Sequence, residues 1–345
     1  MNPFINSTTD YHRHHLESLG WELTVCNMLQ QSSSPCRRIL AENKTYGSHL
    51  EAFLSRHLDW NDVHRALEVG GGYGYLMRDL VEAHPRLDAV MLDISPFLLD
   101  RQREALGENG AEFLLQDFLD LDAGQLSGFD LAILNENIGD FPALCDLTAG
   151  AIGGTFAGRD LEITRRLIRD YGLDYPEGPF VFNLGAALAV EKLCGARIRT
   201  LYISEHSCEA VVPPEYRPFI HIPSPGYPER IRLKGHDEYT IKFSHLERIA
   251  RAGGYECLRG PYTDFLRVEW TDEVRFIMSS ASGRDHHEAI RQFIEDLELL
   301  DDLRADLGLQ VEGQAHDGLI VVGGRHELDQ LHGHHAGQAV GTGDA

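Results

Sequence analysis

The stretch that decides the fold of this chain is Leu67-Glu68-Val69-Gly70-Gly71-Gly72-Tyr73-Gly74-Tyr75, an apolar run followed by closely spaced glycines. Glycines at alternate positions allow the chain to leave a strand, turn tightly and enter a helix while its backbone lies against a ligand. Asp93 ends the next apolar run. A carboxylate at that place can accept hydrogen bonds from both hydroxyls of a ribose. Together the two features predict a site for a nucleoside-containing cofactor.

The spacing of the glycines distinguishes between cofactors. A dinucleotide fingerprint reads G-x-G-x-x-G, and its third glycine would fall at Tyr75. The pattern present is E-x-G-x-G-x-G, from Glu68 to Gly74. With this pattern the chain resembles the class I S-adenosylmethionine (SAM)-dependent methyltransferases, whose first motif has this form. The resemblance implies a Rossmann-like sheet, SAM as the cofactor and methyl transfer as the activity. The alternative is an ordinary glycine-rich turn in another α/β protein.

Composition limits the classes of partner. The 345 residues include 31 basic and 54 acidic side chains, which gives a formal net charge of −23. A surface of this sign repels phosphate backbones, so we expect a small molecule or a basic protein or peptide as substrate, and no nucleic acid. No apolar run is long enough to span a membrane, and the start of the chain has no apolar signal region. The six cysteines form no C-x-x-C pair, which is typical of reduced thiols in a cytoplasmic protein.

Strands and helices alternate between residues 63 and 270, which predicts a parallel sheet with right-handed crossovers. Together with the resemblance, this alternation indicates an α/β fold with the seven-stranded class I methyltransferase sheet. We take 63–270 as the SAM-binding domain. The predicted strands lie at 67–69, 89–92, 112–115, 131–134, 199–203, 255–258 and 265–269.

Two segments within or before this domain are expected to cover the site. Residues 1–62 are predicted to form an N-terminal helical cap, since apolar residues recur there at helical spacing. An insertion at 138–183, with a helix over 160–171, is predicted to cover the substrate. Long loops at the carboxyl edge of a parallel sheet are usually functional.

The end of the chain is predicted to form an extension. Residues 271–330 are expected to contain an acidic helix (289–307) and a strand (319–322). This extension either packs on the core or pairs with a second subunit, which leaves a homodimer open. Residues 331–345 form a His-rich, low-complexity tail that is predicted to be disordered.

The resemblance also implies which residues hold the cofactor. In class I methyltransferases the glycine motif passes against the amino-acid and ribose parts of SAM, and an acid after the second strand takes the ribose hydroxyls. An acid after the third strand accepts from the adenine amine, and Asp117 fits that role. The expected cofactor-binding residues are therefore Glu68, Gly70, Gly72, Gly74, Asp93, Asp117, Phe118 and Asn135.

The segment after the fourth strand reads Asn135-Glu136-Asn137-Ile138-Gly139-Asp140-Phe141-Pro142. Glu136, Gly139 and Phe141 resemble the S-E-x-x-G-x-F segment of protein arginine methyltransferases, although the serine and the second glutamate of that family are absent. The same segment resembles the N-E-F-F-D-A-L-P stretch of the MidA-like family. A carboxylate suits an arginine acceptor because it orients the guanidinium and stabilises its charge. Glu136 and Asp140 are therefore candidate catalytic residues; alternatively they cap the loop or bind the amino group of the cofactor.

His206 follows the predicted fifth strand and is the third candidate catalytic residue. A histidine there can act as a general base for a hydroxyl or thiol acceptor, or serve a structural role. We find no metal-binding motif: the pattern H-E-x-x-H fails at Arg291, and His12 has no acid at ligand spacing. The sequence therefore predicts no metal site.

Three functions are compatible with these features. The favoured hypothesis is a SAM-dependent methyltransferase that modifies an arginine of a protein partner. The first alternative is an O- or N-methyltransferase of a small molecule, with His206 as the base. The second is a SAM-binding assembly factor without turnover, in which Glu136, Asp140 and His206 would point away from the methyl group.

Overall fold

The computed structural model describes residues 3–17, 24–107, 110–155, 157–221, 225–280 and 285–307. The predicted strand at 319–322 and the predicted tail at 331–345 lie outside the described residues. No helix in the described ranges combines the length and the apolar character needed to cross a bilayer.

The strands are numbered in chain order. They are β1 (Phe4–Asn6), β2 (Arg65–Val69), β3 (Asp88–Asp93), β4 (Glu112–Leu115), β5 (Leu131–Asn135), β6 (Ala143–Leu147), β7 (Phe180–Phe182), β8 (Thr200–His206), β9 (Arg230–Arg232), β10 (Asp237–Tyr239), β11 (Tyr255–Pro261) and β12 (Leu300–Leu307). The helices are α1 (Thr9–His14), α2 (Val25–Met28), α3 (Pro35–Arg38), α4 (Tyr46–Leu54), α5 (Tyr75–Ala83), α6 (Pro96–Leu106), α7 (Ala149–Gly153), α8 (Arg159–Tyr171), α9 (Leu184–Gly195), α10 (Phe243–Ala252), α11 (Asp272–Ser279) and α12 (Asp285–Leu299).

The central sheet has seven strands in the order β11-β12-β8-β5-β2-β3-β4. The five strands from β8 to β4 are parallel, and β12 lies antiparallel between β8 and β11. The order reverses at β2, and the carboxyl ends of the strands on either side of such a switch point form a crevice where ligands bind. The predicted α/β fold with a seven-stranded, class I methyltransferase sheet is confirmed.

The seventh strand does not lie where the sequence predicts it. Residues 265–269 are not a sheet strand, and the predicted helix over 289–307 ends at Leu299, where β12 begins. The strand is hard to recognise because charged side chains lie inside it: Asp302 and Arg304 are both buried and form an ion pair of 3.1 Å. In the sequence, charged residues at this spacing resemble the polar face of a helix. In the structure, the two buried charges pair with each other. The sheet therefore continues past the domain boundary predicted at residue 270.

The segments outside the central sheet form a second, smaller sheet. Strand β1 pairs with β6, and β6 pairs with β7, in an antiparallel arrangement. The predicted N-terminal cap is thus not purely helical, because its first strand joins the insertion. Helix α8 of the insertion matches the helix predicted over 160–171 and packs beside α9 through the pair Arg166 Nη1 to Glu191 Oε1, at 2.6 Å. Strands β9 and β10 form a separate two-stranded antiparallel hairpin.

The central sheet is buried on both faces. Strands β2 and β5 are almost entirely inaccessible, and the run Leu131 to Leu134 of β5 is the continuous apolar sequence expected of a parallel strand covered on both sides. One apolar cluster packs between the sheet, α9 and α10, and the other between the sheet and the helices α4, α5 and α12. This rigid layer fixes the strand ends at which the candidate site lies.

Candidate functional site

A cavity of about 440 Å³ lies at the carboxyl ends of the parallel strands. This volume is in the usual range for small-molecule and cofactor sites. Its floor is formed by the glycine stretch and by the ends of β3, β4, β5 and β8. Its roof is formed by the N-terminal region around α1 and α2, by the β9–β10 hairpin and by α12. Among the described residues of the insertion predicted to cover the substrate, those that line the cavity are Asp140, Phe141 and Pro142.

The predicted site residues come together at this cavity. All the side chains and glycines predicted to bind the cofactor or to act in catalysis line it, with the exception of Gly74. Gly74 instead precedes α5, where a Cβ would lie 3.0 Å from the Cα of Gln102. Its role is therefore to let α5 and α6 approach each other.

The glycine loop has the backbone that its sequence predicts. Gly70, Gly72 and Gly74 have φ angles of 61°, 52° and 79°, in the left-handed region that other residues rarely adopt. At Gly70 a Cβ would also lie 2.6 Å from the side-chain amide nitrogen of Asn137. Both backbone conformation and close packing therefore require glycine at position 70.

Glu68 is buried beneath this loop. Its Oε2 atom makes no hydrogen bond within the described structure, and burial raises the pKa of its carboxyl group to about 8. A buried carboxyl group without a partner on one oxygen is costly, so a ligand that donates to it from the cavity is favoured. An ammonium group in the cavity would fit this place.

Asp93 ends β3 and is also buried. Its two carboxylate oxygens accept from the amide of Ser95 at 2.8 Å and from Nε2 of Gln102 at 2.7 Å. A carboxylate has about four acceptor positions, so each oxygen keeps capacity for a ribose hydroxyl. Burial raises the pKa of Asp93 to about 6. Gln102 lies nine residues along the chain and holds the carboxylate in place, a role the sequence did not reveal.

The residues after β4 form the next wall. Asp117 accepts from the amide of Leu119 at 2.9 Å, and its other oxygen lies 3.6 Å from the guanidinium of Arg13. Phe118 is buried, with the ammonium of Lys192 5.5 Å from the centre of its ring. A carboxylate beside an aromatic side chain suits a purine base, whose amine donates and whose ring packs on apolar surface.

Asn135 has a structural role in addition to its position on the wall. Its side-chain oxygen accepts from the hydroxyls of Ser204 and Tyr262, each at 3.0 Å, and from that of Tyr46. Its amide nitrogen lies 3.4 Å from Oε1 of Glu136. Since its oxygen is occupied, Asn135 orients Glu136 and has only its amide nitrogen left to donate.

Glu136 has an unusual backbone conformation. Its φ is +50°, a strained conformation for a residue other than glycine, and such strain is concentrated at functional positions. The amide of Val25 donates to its Oε2 at 3.1 Å. Burial raises the pKa of the Glu136 carboxyl to about 8.

Asn137 is a site residue that the sequence prediction missed. It is buried, it donates to the carbonyl of Val69, and its Oδ1 has no hydrogen-bond partner within the described structure. Its only signal in the sequence is its place in the polar run after β5. An unpartnered amide oxygen on the cavity wall favours a ligand with an N–H or O–H group.

His206 lies between two acids. Its Nδ1 is 3.2 Å from Glu205 and its Nε2 is 3.8 Å from Asp296, and these carboxylates hold the pKa of His206 well above its usual value despite burial. A histidine that keeps its proton at neutral pH is a poor general base, so the geometry favours a charge-balancing role. Glu205 also accepts from the amide of Gly139 at 3.0 Å.

Asp140 lies in a second cluster on the same wall. Its Oδ1 is 2.9 Å from Nε2 of His12 and 3.5 Å from Nε2 of His236, which also lies 3.1 Å from Glu238. These groups hold the pKa of Asp140 well below its usual value, and the two carboxylates raise the pKa of His236 to about 10. Sequence spacing could not reveal this cluster, because 128 residues separate His12 from Asp140.

Comparison with known families agrees with this geometry. Residues 67–148, which run from the glycine stretch through the segment after β5, match the family described as "Methyltransferase domain". This part of the chain is a methyltransferase domain. Its fold is that of the class I enzymes, its cofactor is SAM, and the chain is a SAM-dependent methyltransferase. No protein of the curated set matches the chain in sequence.

Solved structures of similar fold are distant in sequence. A putative methyltransferase in complex with the Trm112 activator of Haloferax volcanii is 12% identical, covers 78% of this chain and 91% of its own, and has a TM-score of 0.42. The plantazolicin methyltransferase BamL is 12% identical, with coverages of 87% and 94% and a TM-score of 0.43. The glycopeptide N-methyltransferase MtfA is 10% identical, with coverages of 76% and 94% and a TM-score of 0.40.

Proposed function

We propose that this enzyme methylates a basic nitrogen, and that the acceptor is an arginine side chain of a protein partner. The observation that carries the proposal is the set of carboxyl groups that line the cavity near the ends of β5 and β8. These groups belong to Glu136, Asp140, Glu205, Glu238 and Asp296. Asp140 and Glu238 lie beside His12 and His236, whereas Glu136, Glu205 and Asp296 lie near one histidine, His206. A cationic acceptor is favoured next to Glu136, because it would let this buried acid, whose pKa is raised to about 8, ionise.

The cofactor would be held by the opposite part of the cavity. The glycine loop would pass along the amino-acid and ribose parts, Asp93 would accept from the ribose hydroxyls, and Asp117 with Phe118 would contact the adenine. Glu68 and Asn137 each have an unpartnered buried oxygen, and these would accept from the ammonium group. When bound, SAM supplies an electrophilic methyl group that leaves sulfur as the acceptor nitrogen attacks.

Glu136 is suited to act on the acceptor. Its carboxylate would orient a guanidinium by charge-assisted hydrogen bonds, which contributes through alignment and electrostatics. The nitrogen must lose one proton as the N–CH₃ bond forms. Because burial raises the pKa of Glu136 to about 8, its carboxylate is a stronger proton acceptor than an exposed glutamate and can take that proton.

A protein substrate is favoured by the charge of the chain. A net charge of −23 attracts basic segments and accelerates their association. The small-molecule alternative is supported by the roof of the cavity, since α1 and the β9–β10 hairpin cover it.

The six cysteines form no disulfide, which supports a reducing compartment, and we propose the cytoplasm.

The experiment uses methyl-labelled SAM and two sets of acceptors. One set contains basic peptides with arginine, or with every arginine replaced by lysine; the other contains free arginine and small guanidines. We expect label on the arginine peptides alone. Label on the free compounds but not on the peptides would favour a small-molecule enzyme, and label on no nitrogen compound would contradict the proposal.

A variant then tests the role of Glu136. Glu136→Gln should lower kcat at least a hundredfold, while calorimetry shows SAM affinity within about threefold of wild type. The matched control is Glu177→Gln, an exposed glutamate of the insertion, which should leave both quantities unchanged. If Glu136→Gln instead weakens SAM binding at least tenfold while kcat at saturating SAM is retained, Glu136 belongs to the cofactor site.

A further inference from the structure

We propose that His12, Asp140, His236 and Glu238 form a binding site for one divalent transition-metal ion of the Zn²⁺ type. The ion would fasten the N-terminal helix α1 over the cavity. This inference does not depend on the identity of the methyl acceptor.

The geometry of the donor atoms supports the site. Nε2 of His12, Oδ1 of Asp140 and Nε2 of His236 all lie within 4.8 Å of one another. Nε2 of His12 lies 2.9 Å from Oδ1 of Asp140, and Nε2 of His236 lies 3.5 Å from Oδ1 of Asp140 and 3.1 Å from Oε1 of Glu238. Four atoms placed about 2.0–2.1 Å from a tetrahedral ion are about 3.3 Å apart. The three separations given above each lie within about 0.4 Å of this value, so the donors that they join are spaced as ligands of one ion.

The donor set matches the chemistry of Zn²⁺. Imidazole nitrogens and carboxylate oxygens are ligands of zinc and of the neighbouring first-row metals, and four protein ligands are typical of structural zinc sites. Once the ion has displaced any proton on the coordinating imidazole nitrogens, two neutral imidazoles, two carboxylates and one divalent ion have no net charge. A metal site with balanced charge is easier to bury than an excess of charge of either sign.

The ligands are held in place by contacts that do not involve the ion. The ring of Tyr11 stacks on that of His236 with centroids 4.2 Å apart. The hydroxyl of Thr8 donates to the carbonyl of Asp140 at 2.7 Å. The side-chain amide of Asn6 donates to the carbonyl of Asp237 at 2.9 Å, beside Glu238. Such supporting contacts orient ligands before the metal binds.

The position of the cluster suggests what the ion does. His12 lies on α1, Asp140 follows β5, and His236 and Glu238 belong to the β9–β10 hairpin. Of these residues, His12, Asp140 and Glu238 line the cavity. One ion would therefore join the two parts of the roof to the floor and hold the cavity closed.

The test is metal binding by the full-length protein, measured without substrate. Because the tail contains His332, His334 and His335, the parent protein for the test carries glutamine at these three positions. Co²⁺ serves as the probe, since its visible absorption reports tetrahedral coordination, and Zn²⁺ is titrated by calorimetry. We expect one equivalent of Co²⁺ to bind with a tetrahedral spectrum and to be displaced by Zn²⁺.

Variants assign the site. His12→Gln and His236→Gln should each weaken Co²⁺ binding at least tenfold, while His14→Gln, a change of an exposed histidine on the same helix, should not. Absence of stoichiometric binding, or equal affinity in the His236→Gln variant, would overturn the proposal.

A crystal of the parent protein soaked with Co²⁺ is decisive even where a variant fails to fold. The anomalous peak should lie about 2.0–2.3 Å from both Nε2 atoms. A peak elsewhere, or none, would overturn the site.

Discussion

The side-chain amide of Asn137 donates a hydrogen bond to the carbonyl oxygen of Val69. This bond ties the segment after β5 to the residue immediately before the glycine loop. The two segments are 68 residues apart in sequence, and both line the cavity. The segment that presents Glu136 therefore positions the glycine loop. We expect a substitution in either segment to alter the geometry of the other.

The first prediction concerns Gly70. A Cβ at this position would lie 2.6 Å from Nδ2 of Asn137, in addition to the strain of a left-handed backbone. We expect Gly70→Ala to lower SAM affinity at least tenfold, measured by calorimetry, and to destabilise the fold by about 2–4 kcal/mol.

Gly128→Ala is the matched control. Its φ is +93° but nothing lies within 4 Å of a Cβ there, so the change introduces strain without crowding. It should cost only about 1–2 kcal/mol of stability and leave SAM affinity unchanged. Equal SAM affinity in both variants would show that the contact between Gly70 and Asn137 does not shape the cofactor site.

The second prediction concerns Asp93. Asp93→Asn removes the charge and one acceptor position while keeping the shape, so hydrogen bonds to the ribose should weaken by about 1.5–3 kcal/mol, or roughly ten- to a hundredfold in SAM affinity. Wild-type affinity should also fall as the pH drops below about 6, the pKa of Asp93, because the protonated form accepts less well. Asp88→Asn, at the exposed start of the same strand, is the control. A pH-independent affinity in wild type would remove Asp93 from the site.

Much of the fold was predictable because its signals are local. The glycine stretch, the apolar strands β2 and β5, and helix α8 each carry their pattern within a few residues. The end of β3 at Asp93 followed from the same reasoning. Such patterns depend on backbone conformation and burial, which a short sequence determines.

The remaining features depend on contacts between distant parts of the chain. Strand β12 is stabilised by a pair of buried charges and by strands on both sides, so its own sequence resembles a polar helix. The approach of His12 to Asp140 depends on how the N-terminal region crosses the cavity. The charge state of His206 depends on Asp296, ninety residues away in α12. No spacing rule links these residues.

The third prediction separates two roles for His206. If its charge balances the nearby acids, then His206→Gln removes a cation that lowers the pKa of Glu136. The lower limb of the pH profile of kcat/KM should then move to higher pH, with activity recovered at alkaline pH. If His206 were the general base, activity would be lost at every pH.

The fourth prediction concerns the pH dependence of stability. Burial raises the pKa of Glu68 to about 8 in the folded protein, above the value of about 4.3 expected in the unfolded chain. Between these values the folded state binds more protons than the unfolded state, so this group lowers the free energy of unfolding as the pH rises from about 4.3 to about 8. The glutamine side chain of the Glu68→Gln variant cannot ionise, so the variant does not lose this part of its free energy of unfolding. The variant should therefore gain stability over wild type with rising pH, by about 2–4 kcal/mol between pH 5 and pH 9.

Chemical denaturation at pH 5, 7 and 9 measures the difference. Glu82→Gln, an exposed glutamate on α5, should track the wild type at all three values, since its side chain is 71% exposed. Added SAM should reduce the gain of the Glu68→Gln variant, because the ammonium group of the cofactor would stabilise the ionised carboxylate of wild type. A constant difference between Glu68→Gln and wild type across this range would show that Glu68 is ionised in the folded protein. The carboxylate would then already have a partner, and its proposed contact with the cofactor would have to be withdrawn.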